Sequence, residues 1–114
     1  MKTKREERYQ VDFPAFLTVQ TGKISRRINA RCIGLSASGA TMEILDRLEK
    51  GAAVLVQSSE FGRMGMATVR HSTRGSMKYT IGLSFGSGLR LSDPGRREML
   101  NKLISASQGT VLPQ

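Results

Sequence analysis

Residues 11–44 read VDFPAFLTVQTGKISRRINARCIGLSASGATMEI, and this stretch sets the class of fold. Val11, Phe13, Ala15, Leu17 and Val19 alternate with Asp12, Pro14, Phe16, Thr18 and Gln20. A period of two gives a strand one apolar face and one face toward water. Pro14 has no N–H to give to a ladder, so this strand is expected to lie at a sheet edge or to carry a bulge. Thr21-Gly22-Lys23 reads as a turn. Ile28, Ala30 and Cys32 resume the alternation, but Ile33 and Leu35 fall on the opposite parity, which predicts a bulge or change of exposure just before Ser36. After Gly39 the set Ala40, Met42 and Ile44 alternates with Thr41 and Glu43.

Working outward, Asp46 to Lys50 is a short polar or helical turn closed by Gly51, and Ala53 to Val56 is a brief apolar run of the kind found in buried strands. Met64 to Val69 and Tyr79 to Phe85 complete the series, with Arg74-Gly75-Ser76 as a turn between them. Six short strands at this spacing predict a mainly β protein, a small barrel or sandwich, and a closed barrel has no exposed edges to protect. The chain ends differently. Asp93 fits the N-cap of a helix with Pro94 at its first position, and Met99, Leu100, Leu103 and Ile104 recur on one face. That helix is expected to pack on or plug the barrel. Ser105 to Gln114 lose the pattern and read as a frayed tail.

At 114 residues and 12.5 kDa the chain is one domain by size. Its formal charge of +9 and pI near 10.6 favour phosphate-bearing partners. The charge is segregated: residues 1–31 carry eight basic and three acidic side chains, residues 32–60 two and four, and residues 61–114 eight and two. A basic face beside an acidic patch follows, although a solvated surface gives the same count. A single cysteine, Cys32, cannot form an intrachain disulfide, and the start MKTKREERYQ has no apolar stretch resembling a secretion signal. A cytoplasmic location is expected by default, and no stretch has the length of apolar sequence needed to cross a bilayer.

No enzyme signature is present: no paired carboxylates, no phosphate-cradling P-loop, no recognisable Ser-His-Asp set. His71 has no His, Cys or acidic cluster at ligand spacing, so it reads as a surface or strand histidine and no metal site is expected. Cys32 reads as a small buried side chain. Arg26, Arg27, Arg31, Arg63, Arg70 and Arg74 lie along the strands, which raises nonspecific nucleic-acid binding as a third class of function. It ranks below the others because the phenylalanines and tyrosines fall mainly on core parity instead of forming a stacking platform.

Two segments remain: the basic run Lys4-Arg5-Glu6-Glu7-Arg8 ahead of the first strand, and Gly34-Leu35-Ser36-Ala37-Ser38-Gly39. Together with the "LSASGATMEI" hairpin opening, the "EKGAAVLV" step and the "YTIGLSF" strand, they make residues 4 to 104 resemble the PilZ domain. The resemblance implies a six-stranded antiparallel barrel with a C-terminal α-helix, organised as a flexible basic arm (1–8), a barrel and helix (9–104) and a disordered tail (105–114). It further implies a non-catalytic regulatory module, without a cofactor, whose ligand is cyclic di-GMP. In that family an Arg-x-x-x-Arg pair and an Asp/Asn-x-Ser-x-x-Gly segment supply the site, so the implied ligand-binding residues here are Lys4, Arg5, Arg8, Ser36 and Gly39.

The chemistry of such a pairing is general. Arginine offers a planar fork to phosphate oxygens or to the O6 and N7 edge of guanine, and its face stacks on a base. A serine hydroxyl and a glycine that permits close approach supply the opposing wall. Two positions depart from the family pattern: Lys4 stands where the first Arg is expected, and Gly34 where Asp or Asn would accept hydrogen bonds from guanine. Arg5, adjacent to Lys4, is placed to take over part of the missing role. The alternative reading is therefore a degenerate PilZ-like domain that no longer binds the dinucleotide and serves as a protein interaction module. Either reading expects an unidentified protein partner in motility or envelope regulation.

Overall fold

The computed structural model describes residues 7–89 and 93–109. Six strands, β1 (Tyr9–Thr21), β2 (Ile24–Leu35), β3 (Gly39–Ile44), β4 (Ala53–Ser58), β5 (Gly62–Arg74) and β6 (Tyr79–Phe85), precede one helix, α1 (Pro94–Gly109). All pairings are antiparallel, and the sheet closes on itself in the order β1-β2-β3-β6-β5-β4. The barrel alternative is thus realised over the sandwich. In a barrel of this size side chains fill the interior.

The period of two in the sequence places that filling. Val11, Phe13, Ala15, Leu17 and Val19 from β1 all point inward and are buried. They meet Cys32 and Leu35 from β2, Met42 and Ile44 from β3, Val54 and Val56 from β4, and Ile81, Leu83 and Phe85 from β6. Pro14 does not mark an edge, because a closed barrel has none. The β1–β2 register instead shifts between Gln10 and Phe13, and β4 joins β1 only from Phe16 to Val19. The missing N–H at Pro14 therefore lies outside the second ladder. The parity change at Ile33 is a second irregularity, a register shift between Cys32 and Gly34 against β3. It returns Leu35 to the core, where it is 2% exposed.

Three strands are longer than their apolar patterns. β1, β2 and β5 run to 13, 12 and 13 residues, because cross-strand pairing carries exposed polar segments such as Ser72-Thr73-Arg74 along with β6. Among the arginines on the strands, Arg26 pairs with Asp46 and Arg31 with Asp12. The Arg27 guanidinium lies 4.3 Å from the ring centre of Phe16, which faces outward, against the core parity of Phe13 and Phe85.

Helix α1 starts as its cap signal predicts, with the Arg97 amide donating to the Asp93 carbonyl at 2.8 Å. Leu100 is fully buried and Leu103 and Ile104 pack against the core, so the apolar stripe lies on the barrel. Arg96 donates to the carbonyls of Leu89 and Arg63, tying the helix to the segment after β6 and to β5. The helix continues to Gly109, through Ser105 where the sequence pattern has lapsed. The remaining residues of the expected tail lie outside those described.

Leu100→Ala is expected to destabilise the fold by about 2–5 kcal/mol in urea denaturation, as for other fully buried leucines. A loss below about 0.5 kcal/mol, typical of surface sites, would show that α1 is not part of the core.

Candidate functional site

The β1–β2 register brings Arg8 and the loop together. Tyr9 pairs with Leu35 and Gln10 with Gly34, so the residue before β1, Arg8, is carried to the loop after β2. Between β2 and β3 that loop is held tightly. The Ser36 amide donates to the Gly39 carbonyl at 2.9 Å, and the Gly39 amide donates to Ser36 Oγ at 3.2 Å. From outside, the Phe85 amide donates to the Ser38 carbonyl and the Leu89 amide to the Ala37 carbonyl, both at 2.8 Å. Gly39 is required by contact as much as by the turn: a Cβ there would overlap the Leu83 carbonyl oxygen of the neighbouring strand.

Arg8, Gly34, Ser36 and Gly39 line one cavity of about 230 Å³. Lys4 and Arg5 lie outside the described residues. Ser36 is 8% exposed and its hydroxyl is engaged by Gly39, so in this structure it shapes the loop. Gly34 presents no side chain, but a Cβ built on it would sit 3.5 Å from Thr41 Cβ, an ordinary contact. The position thus has room for a Cβ.

Sequence reading missed the opposite wall. Arg70, His71 and Gly82 also line this cavity. The β5–β6 register shifts between Val69 and His71, so Arg70 is the extra residue of a bulge and His71 pairs with Gly82. Strict alternation from Ala67 and Val69 would send His71 inward; the bulge turns it out, and it is exposed. A Cβ on Gly82 would come within 2.6 Å of His71 Cε1, so the imidazole occupies the space a side chain would take. The available signal was a histidine on core parity directly after an arginine.

Charge and titration follow from these placements. Arg8 and Arg70 have no carboxylate partner among the described residues. Next to Arg8, the Tyr9 hydroxyl donates to Glu7 Oε1 at 3.0 Å and accepts from Arg97 Nη1 of α1 at 3.1 Å. The bond to Tyr9 is the main reason that the Arg97 guanidinium holds its proton more tightly than usual. Behind Gly34, burial pushes the Cys32 thiol up to about 12, partly opposed by a hydrogen bond from the Gly34 backbone. A thiol so shifted is protonated at neutral pH and unsuited to attack as a thiolate. Among the described residues no three His, Cys, Asp or Glu side chains are grouped to hold a metal ion. No described helix is long and apolar enough to cross a membrane.

Two measurements test this geometry. Gly82→Ala should turn the exposed His71 ring to another rotamer at a cost within the roughly 0.5 kcal/mol typical of surface sites, and should shift the His71 ring resonances in NMR; unchanged ring resonances would contradict the packing. For Cys32, the unfolded thiol ionises near its ordinary 9.0 while the folded one keeps its proton to about 12. Between those values the folded state binds more protons, so its stability falls as pH rises, and below them the thiol adds no slope. Cys32→Ala should flatten the alkaline decline seen in urea melts; an unchanged slope would contradict the burial.

No protein-family model matches the sequence, and no curated protein matches it. Solved structures do. The chain is similar to the PilZ domain with c-di-GMP of YcgR from Escherichia coli, with a TM-score of 0.57, 15% identity, and coverage of 96% of this chain and 94% of that one. It is also similar to the K. pneumonia MrkH–c-di-GMP complex, with a TM-score of 0.61, 13% identity, and coverage of 96% of this chain and 55% of that one. A longer YcgR chain from Escherichia coli, again in complex with c-di-GMP, gives 0.58 and 16% identity over 94% of this chain and 47% of that one. The chain thus spans about half the length of the MrkH and longer YcgR chains. Its closed six-stranded antiparallel barrel with one C-terminal helix is the fold of these PilZ neighbours.

Proposed function

We propose that the chain is a non-catalytic regulatory module that binds cyclic di-GMP between the arm and the Gly34–Gly39 loop. One observation carries this reading: Arg8 and the Ser36–Gly39 loop, distant in sequence, line the same cavity. That YcgR and MrkH chains of the same fold are described in complex with c-di-GMP supports it. In this reading Arg8 takes a phosphate or a guanine edge, Arg5 and Lys4 close over the ligand from the arm, and Ser36 and Gly39 form the floor. Arg70 adds a second described guanidinium on the opposite wall. Ordering of the arm then covers or exposes a surface for a cytoplasmic protein partner, in motility or envelope regulation.

Gly34 favours a second reading, a degenerate module that has lost the dinucleotide and retains only protein interactions. The acceptor for guanine is absent at the one loop position that would supply it. Because the site has room for a Cβ, restoring the acceptor is a fair test of this reading.

Isothermal titration calorimetry with cyclic di-GMP separates the two. The first reading expects saturable binding by the full chain and a loss of about ten- to a hundredfold in Arg8→Ala, equivalent to one charge-assisted hydrogen bond of about 1.5–3 kcal/mol. The second expects a silent parent that gains affinity when Lys4→Arg and Gly34→Asn are combined. Tight binding unaffected by Arg8→Ala would overturn the proposed site.

A further inference from the structure

The far side of the Arg70–His71 wall is a second cavity, about 520 Å³, lined also by Arg47, Lys50, Arg74 and Tyr79. Its residues come from 47–50, 70–74 and Tyr79 of β6, and backbone bonds pin the first two segments together. The Gly51 amide donates to the Val69 carbonyl at 2.8 Å, and the Val69 amide donates to the Ala52 carbonyl at 2.9 Å. Gly51 adopts φ 93°, a left-handed conformation suited to glycine, and so turns the chain sharply just after Lys50. The turn is thereby fastened to β5 one residue before the bulge at Arg70. A bulge re-aims the side chain it carries, and here Arg70 is shared by both cavities.

The charge pattern distinguishes this cavity from the rest of a basic surface. Elsewhere, several cations have a partner, Arg26 in Asp46, Arg31 in Asp12, Lys78 in Glu43 and Arg97 in the Tyr9 hydroxyl, and those without a carboxylate, such as Lys23, Arg63 and Lys102, do not share one cavity. Four cationic side chains, Arg47, Lys50, Arg70 and Arg74, line the second cavity with one acid, Glu49. Glu49 is 3.6 Å from Arg47 with both side chains more than 70% exposed, a separation and exposure at which an ion pair contributes little. Lys50, Arg70 and Arg74 make no ion pair or side-chain hydrogen bond among the described residues. Four cations gathered in a concave site against a single carboxylate leave an excess of positive charge that focuses its potential there. Size points the same way. The first cavity is smaller than the roughly 300–1,000 Å³ of common small-molecule sites, whereas the second lies within that range.

We propose that the cavity formed by Arg47, Lys50, Arg70 and Arg74 is a second phosphate-binding site, joined to the Arg8 cavity through the shared Arg70–His71 wall. It takes a phosphate-bearing anion, either a further phosphate of a ligand that also reaches Arg8 or a separate phosphate compound. The site stands whether or not cyclic di-GMP is the ligand of the first cavity.

The test follows backbone amide and arginine Nε–Hε resonances by NMR in the full chain, at low salt, with inorganic pyrophosphate and with cyclic di-GMP as separate probes. Pyrophosphate is expected to shift Arg47, Lys50, Arg70 and Arg74 along saturable curves with one dissociation constant. Lys50→Gln combined with Arg74→Gln should weaken that constant about tenfold; both residues are exposed, so the fold should tolerate the change. Shifts that do not saturate, that are as large at Lys23, Arg63 and Lys102, or that survive the double substitution within twofold would overturn the proposal. If cyclic di-GMP moves the same four residues and competes with pyrophosphate, the phosphate comes from that ligand; if only pyrophosphate does, the source is separate. Failure of cyclic di-GMP to move Arg8 and the 34–39 loop would count against the proposed function alone.

Discussion

The pairing of Tyr9 with Leu35, at the first rung of the β1–β2 ladder, is the contact on which the site depends. Moving β1 by one residue relative to β2 would reverse which of its side chains face the core. Val11, Phe13, Ala15, Leu17 and Val19 are all buried and fix the inward face of β1, and the register shift between Gln10 and Phe13 then sets the Tyr9–Leu35 rung. Arg8 sits one residue ahead of a core-determined rung and Ser36 one residue beyond it, so hydrophobic burial inside the barrel positions a polar cavity outside it.

The walls of that cavity are set by how closely backbones approach. Gly39 lets β3 lie against the Leu83 carbonyl, and Gly82 leaves the space that the His71 ring fills. Both glycines lie near bulges, one in β2 and one in β5, that break the alternation. The shifts in β2 and β5 border the cavity, and further shifts lie between Gln10 and Phe13 and between Val56 and Gln57. The Glu7–Tyr9–Arg97 contacts add a link from the base of the arm to α1. In the proposed function, that link gives the residues at the start of β1 a physical route to the helix through Tyr9.

Much of the fold was legible because it rests on period and punctuation. The five inward residues of β1, the Ile33 parity change and the Asp93-Pro94 helix start each have a local cause that the sequence carries. Strand length was less visible, since Ser72-Thr73-Arg74 are held by β6 and show no apolar alternation of their own. The reach of α1 to Gly109 was hidden for a similar reason. Of the residues expected to bind, Arg8, Ser36 and Gly39 were singled out through a resemblance, and they line one cavity. Arg70 and His71 were not found, because a bulge between strands is a property of pairing, and pairing partners are not written in either strand alone. The role of Ser36 also needed coordinates: its hydroxyl is engaged within the loop that it was expected to open toward a ligand.

The most direct test of the account is a nuclear Overhauser map of the free protein across β1 and β2. It should show cross-strand contacts between Tyr9 and Leu35 and between Gln10 and Gly34, with the Arg8 side chain near the protons of the 36–39 loop. Contacts displaced by one residue, or an Arg8 side chain with none to that loop, would separate the two halves of the site and contradict the account.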